Sequence, residues 1–194
     1  MLSHQGTKTL ETPRLILRRF TIGDAQAMFE GWATDPDVTR FVSWSAHQSI
    51  SVTRELLTAW EEAYQNDREY NWCIVLRETG TPIGSVGLVR VDDALASAEF
   101  GYVLAKPYWR RGLAPEAAAA VLDYCFREIG FHRMAAVHHP DNGASGAVMR
   151  KLGMQHEGLI REAHMDNQGK YINVEQYAIL KREWNGPQRL YAAR

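Results

Sequence analysis

"YWRRGLAPEA", Tyr108 to Ala117, sets two arginines and a glycine directly before a segment that opens Ala114-Pro115-Glu116-Ala117. Proline is tolerated at the first helical position, where its missing N–H would have no partner anyway. The stretch therefore predicts a turn followed by a helix that starts near Ala114. A helix start carries unpaired amides and a partial positive charge, which suits it to an anion. Gly112 lets the backbone approach a ligand without a Cβ in the way, and Arg110 and Arg111 add charge. On physical grounds the stretch is a cradle for phosphate or pyrophosphate; the alternative is an ordinary solvated basic turn.

Working outward, Ala118, Val121, Leu122, Cys125, Phe126 and Ile129 recur on one face of the predicted helix, and Gly130 supplies its stop. Before the turn, "SAEFGYVLA" reads as a strand whose internal Gly101 predicts a bulge or a close backbone approach. "NWCIVLRE" and "PIGSVGLVRVD", joined by "TGT", read as a hairpin. After the helix, "RMAAVHH" is a strand and "GASGAVMRKLG" a short helix; "EGLIREAHM" and "VEQYAILKREW" form a terminal pair around "DNQGKY". Near the start, "RLILRRF" alternates as a half-buried strand with Leu15 and Leu17 inside. Thr21 and Asp24 are spaced as a capping box before a helix lined by Ala25, Met28, Phe29 and Trp32. "DPDVTRFVSWS" breaks that period and reads as a loop with aromatic residues, and a helix from about Ser51 to Asn66 follows, with a stripe of Val52, Leu56, Ala59, Trp60 and Ala63. The order β-α-α-β-β-β-α-β-α-β-β lacks a clean βα alternation and indicates an α+β, mixed-sheet fold in a single domain over residues 1–194.

Composition narrows the function. The 22 Lys+Arg and 23 Asp+Glu leave a net charge of -1, so nothing global points to nucleic acid or to a membrane surface, and anion binding must be local. Cys73 and Cys125 lie in apolar runs without CxxC spacing and read as reduced, buried and structural, which fits a cytoplasmic protein. The opening "MLSHQGTKTLETPRL" lacks a signal-peptide core, and no apolar run approaches a membrane span. A P-loop nucleotide hydrolase needs GxxxxGK[ST] and a Rossmann fold GxGxxG; the chain has neither.

In these residues the chain resembles the GCN5-related N-acetyltransferases (GNAT), whose cofactor loop is Q/R-x-x-G-x-G/A. Gly112 and Ala114 match the last two fixed positions, whereas Trp109 stands where Gln or Arg is usual. That departure is similar to the RimJ/RimL type, the ribosomal-protein alanine N-acetyltransferases, with Y-W-x-x-G-x-A-x-E-A. The resemblance runs nearly end to end, through "LETPRLILRRF", "PIGSVGL", "AEFGYVL", "NGAS", "KLGMQHEGLIRE" and "REW". It implies a central, mostly antiparallel twisted sheet of about seven strands, splayed between its two central strands and flanked by about four helices.

The resemblance also implies acetyl-CoA as co-substrate, with no metal. Tyr102, Val103 and Leu104 match the strand that pairs with the pantetheine arm. The loop Trp109, Arg110, Arg111, Gly112, Leu113 and Ala114 would hold the pyrophosphate. Asn142 and Ser145 match N-x-x-S near the sulfur end, although Asn and Ser are also favoured in turns and caps. Glu99 matches the general-base position of the histone-acetylating branch; otherwise it is a solvent-facing strand residue. A second base position used in the family holds Val137, and the usual tyrosine acid is Met149. Thiolate protonation therefore falls to Ser145, to water or to no group. Phe41, Val42 and Trp44 lie in a segment that covers the acceptor side in related enzymes, or else cap the core. Glu157 and His164 fall on terminal strands facing that side, to orient an amine or as plain surface. His138 and His139, adjacent on a strand, point to opposite faces and are expected in core or rim packing.

The implied reaction moves an acetyl group from a thioester to a neutral amine. Holding an amine neutral at pH 7.4 costs about 4 kcal/mol for lysine and roughly 1 kcal/mol for an α-amine. A site with no tyrosine acid suits the second, a protein or peptide N terminus. A small amine (amino acid, polyamine or antibiotic) is the alternative acceptor, and an acetyl-CoA-binding regulatory module the alternative to an enzyme. The expected partners are an amine-bearing small molecule or a protein N terminus, with the chain a monomer or homodimer and no nucleic acid or membrane involved.

Overall fold

The computed structural model describes residues 2–191 of the chain. Strand β1 (Leu10–Glu11) leads into β2 (Leu15–Arg18), where Leu15 and Leu17 are fully buried. The first helical stretch is composite: a 3₁₀ turn Ile22–Asp24, helix α1 (Ala25–Met28) and a π turn Phe29–Ala33. The Thr21/Asp24 capping box forms at its start. Next come α2 (Pro36–Thr39), α3 (Ile50–Ala63), β3 (Asn71–Leu76), β4 (Thr81–Asp92), β5 (Ser97–Leu104) and α4 (Leu113–Tyr124), which continues as a π turn to Ile129. The chain ends with β6 (Arg133–His138), α5 (Gly143–Lys151), β7 (Gln155–Met165), β8 (Tyr171–Leu180) and α6 (Gln188–Tyr191).

The strands form one eight-stranded sheet, ordered β1-β2-β3-β4-β5-β6-β8-β7. It has one strand more than expected, because β1 is a two-residue pairing too short to leave a periodic signal. All neighbours are antiparallel except β5 and β6. One face carries α4, α5 and the larger core, in which Trp72, Ile74, Phe100, Val121, Phe126 and Met134 are buried. On the other, α1–α3 cover a smaller core of Phe20, Met28, Trp32, Leu57, Cys73 and Val75. Both cysteines are free and buried. Among the described residues no helix is long and apolar enough to cross a membrane.

Four local expectations are corrected. The α3 stripe is rotated: Thr53 and Leu57 are buried while Val52 is exposed, because the packing surface lies one residue around from the apolar count. The segment after Asp35 is not all loop; Asp35 caps α2 by accepting from the Asp37 amide, with Pro36 at the first helical position. Gly101 pairs in register with Gly87 and makes no bulge; the irregularity lies in the partner strand, at Val89 between Leu88 and Arg90. Helix α4 starts at Leu113 rather than Ala114, so Pro115 is its third residue, where the absent N–H is still no loss.

The Arg18–Asp24 pair ties β2 to the composite helix. Both guanidinium branches reach the carboxylate at 2.7 Å, and the Thr21 amide donates to it at 2.8 Å. Burial alone would raise the Asp24 carboxyl, but these donors outweigh it and hold it below the usual carboxylate range. A depressed carboxylate adds stability that is fully present above its unfolded pKa, near ~3.9, and is lost as pH falls through the folded value. Asp24→Asn should therefore cost about 2–3 kcal/mol in urea unfolding at neutral pH. The gap from wild type should close as the pH is lowered below the carboxylate range, and a gap undiminished in acid would refute this account.

Candidate active site

The site begins where β5 and β6 part. They pair in parallel over Ser97↔Arg133, Ala98↔Met134 and Glu99↔Ala135 only. Beyond that point β5 stays with β4 as far as Gly84↔Leu104, while β6 stays with β8 as far as His138↔Glu175. The side of Phe100–Leu104 that faces β6 is thus an open strand edge, whose backbone groups can take an extended ligand as an added strand.

The side chains of β5 alternate around this edge. Tyr102 points to the α4/α5 face, where its hydroxyl lies 2.8 Å from Ser145 Oγ and donates to the Ser145 carbonyl at 3.1 Å. Burial pushes the Tyr102 phenol up to about 12, so it is protonated at neutral pH. Ser145 is set by its helix: the Asn142 side chain caps α5, accepting from the Ser145 amide at 3.3 Å. The cap reading of "NGAS" is the one observed, and the cap sets Ser145 beside Tyr102. Met149, on the same helix, is buried in the core. A pair of hydroxyls therefore stands between the diverging strands; no local pattern marks the pairing, because Tyr102 and Ser145 are 43 positions apart.

The wedge leads into the loop. The Trp109 indole N–H donates to the Leu104 carbonyl at 2.7 Å, and the Trp109 amide donates to Lys106 O at 3.2 Å. Trp109 thus fastens the loop to β5, and its own amide is already engaged. The following amides, from Arg110 to Ala114, find no acceptor among the described residues. Arg110 (φ 60°) and Gly112 (φ 73°) are left-handed, a backbone alternation that gathers successive N–H groups into an anion-binding concavity. A Cβ on Gly112 would meet Arg14 Nη2 at 3.5 Å, an ordinary contact, so glycine is needed here for its positive φ. Arg110 and Arg111 are exposed and have no carboxylate partner among the described residues. An open strand edge followed by free amides and two unpaired guanidiniums fits a pantetheine arm and its pyrophosphate.

Glu99 lies on the opposite face, at the point of divergence. Its Oε1 is 3.9 Å from His164 Nε2, with side-chain exposures of 18% and 35%. The register of the last hairpin makes this pair: Ile160↔Val174 is followed by His164↔Ile172, so four residues of β7 span two of β8. Glu162, at the break, has φ 49° and donates its amide to Asn173 Oδ1 at 3.0 Å. Without this bulge Glu162 would stand opposite Ile172 and bring a second carboxylate in place of an imidazole. Glu157 is elsewhere engaged: Arg133 grips it at 2.7 and 2.5 Å and Gln176 donates to it at 2.9 Å. The Arg133 bonds hold its carboxyl below the usual range.

The expected acceptor-side aromatics divide. Trp44 packs against the α1–α3 core, with Val38 and Leu57 among that core's members. Phe41 instead stacks on His139, ring centres 5.2 Å apart, with the Arg40 guanidinium 4.8 Å from its own ring. Ser45 Oγ donates to Asn167 O at 3.0 Å, and Asn167 Nδ2 donates to Thr39 O at 2.9 Å, so this loop is tied to the tip of the β7–β8 hairpin. His138 is buried, its Nδ1 donating to the His139 carbonyl at 2.8 Å, while His139 sits at the rim.

Comparison with known proteins shows the family. The family described as "Acetyltransferase (GNAT) domain" matches residues 14–155. The Bacillus subtilis (strain 168) protein named "Uncharacterized N-acetyltransferase YoaA" is 35% identical over 172 residues, 89% of this chain and 96% of its own. "Uncharacterized N-acetyltransferase p20" of Bacillus licheniformis is 31% identical over 179 residues, 92% of this chain and 99% of its own. The structure described as "Mycobacterium smegmatis RimJ in complex with CoA-disulfide" aligns at a TM-score of 0.83 and 23% identity, covering 96% of this chain and 92% of that one, a likeness of fold. With its splayed strands, amide-lined loop and near full-length relatives, the chain belongs to the GNAT acetyltransferase family and is an N-acetyltransferase of RimJ-like fold.

Proposed function

We propose that the protein transfers the acetyl group of acetyl-CoA to a primary amine, and that the amine is an α-amine at the end of a peptide or protein. The observation that carries this reading is Glu99 beside His164 at the divergence of β5 and β6. Acetyl-CoA, when bound, supplies an activated acyl group and a thiolate that leaves. The open edge of Phe100–Leu104 binds its pantetheine arm, and the amides of Arg110 to Ala114, with Arg110 and Arg111, bind its pyrophosphate. Glu99 Oε1 takes the proton of the attacking amine, directly or through one water, and His164 orients the amine. Ser145 Oγ, backed by the Tyr102 hydroxyl, is the donor for the sulfur.

The charge balance of the acceptor face favours a monoamine over a polyamine. Of the two carboxylates in the row Glu99, Arg133 and Glu157, Glu157 is neutralised by Arg133. Glu99 remains, one negative charge suited to one ammonium. The face is broad, and Ile160 is exposed along β7, where the residues behind a peptide N terminus can lie.

Release of free thiol from acetyl-CoA with a panel of peptides bearing free N termini, N-terminally blocked lysine peptides, spermidine and free amino acids tests the acceptor. The highest kcat/KM is expected with a free peptide N terminus. A preference for spermidine or another small amine would overturn the acceptor class, and turnover with no amine in the panel would overturn the enzymatic reading. On the best acceptor, Glu99→Gln should lower kcat/KM by about 10²–10⁴-fold. Full activity in that variant would remove Glu99 from the chemistry.

A further inference from the structure

Arg14 precedes the loop by nearly a hundred positions, yet its guanidinium lies beneath it. Its Nε donates to Glu116 Oε2 at 2.6 Å, Nη1 donates to the Arg111 carbonyl at 2.9 Å, and Nη2 donates to the Gly112 carbonyl at 3.2 Å. Glu116 is only 1% exposed; its Oε1 accepts from Thr12 Oγ1 at 2.6 Å and from the Arg14 amide at 3.0 Å. Both carboxylate oxygens are thus occupied, and the guanidinium has one fixed position.

That position acts on the loop through peptide geometry. In a trans peptide the carbonyl and the next residue's N–H point in opposite directions, and the described residues contain no cis bond. Holding the Arg111 and Gly112 carbonyls inward, on Arg14, turns the amides of Gly112 and Leu113 outward. The loop also keeps a non-glycine residue, Arg110, in the left-handed region, a conformation that persists only when its surroundings enforce it. We propose that Arg14, fixed by Glu116, is a positioning residue for the anion-binding loop, holding its amides aimed at the pyrophosphate before any ligand arrives.

The inference rests on the reading of the loop as the pyrophosphate site, and it differs from a plain stabilising role. An ion pair that only joined the start of β2 to α4 would work as well with lysine. It could even be replaced by a neutral pair of similar volume. A planar fork is required only to reach a carboxylate and two carbonyls together.

The test compares the wild-type chain with Arg14→Lys, which keeps a charge against Glu116 but loses the fork. The double variant Arg14→Gln/Glu116→Gln, which leaves no buried charge unpaired, serves as the second case. CoA affinity is read by calorimetry, and kcat/KM is measured with acetyl-CoA and with S-acetylpantetheine, which lacks the pyrophosphate. Loss of a charge-assisted hydrogen bond predicts CoA binding weaker by about tenfold or more. The preference for acetyl-CoA over S-acetylpantetheine should fall by the same factor. A role in stability alone would lower both substrates together and leave that ratio alone; this outcome, or unchanged CoA affinity in either variant, overturns the proposal. Should the wild-type chain show no preference for acetyl-CoA over S-acetylpantetheine, the pyrophosphate reading itself fails, and the positioning role with it.

Discussion

Strands β5 and β6 run parallel for three residues and then separate, each held to its other neighbour, and the rest of the site is arranged around that separation. A sheet interior normally leaves no backbone group free. Here β5 exposes one side of Phe100–Leu104 in the middle of an eight-stranded sheet. The gap is bridged on one face by Tyr102 and the capped start of α5. On the other it opens beside Glu99, so the two faces offer different chemistry at one opening.

Asymmetric covering of the sheet reinforces this difference. On the α4/α5 face the core is continuous from β2 to β8. On the other face α1–α3 pack over the β2–β4 end, and a polar row of Glu99, Arg133, Glu157, Gln176 and His164 occupies the remainder. Within that row the charges are sorted: Arg133 and Gln176 satisfy Glu157, whereas Glu99, with Arg90 across from it in register, has the His164 imidazole as its ion-pair contact within 4 Å among the described residues. The β7 bulge is what sets the imidazole there, at the expense of a regular hairpin.

Much of this could be read from the chain because it is written locally. Alternation placed Leu15 and Leu17 inside β2, the Thr21/Asp24 spacing marked a helix start, and glycine, arginine and proline together marked the loop. What could not be read depends on distant partners. Arg14 meets Glu116 and Tyr102 meets Ser145 across 102 and 43 positions, and neither pairing leaves a periodic signal. The α3 stripe was displaced by one residue because Thr53 and Tyr64, polar by type, share the buried face with Leu57. Glu157 and His164 stood equal in sequence and were separated only by register, since each bulge in β7 changes what lies across from it.

One continuous cofactor surface made of the β5 edge and the following loop would be covered by CoA all at once. Amide hydrogen exchange with and without CoA tests it most directly. Protection gained jointly over Phe100–Leu104 and Arg110–Ala114, with β3 unchanged, is the predicted result. CoA binding that leaves the β5 edge exchanging at its free rate, or that protects the loop without the strand, would contradict the account.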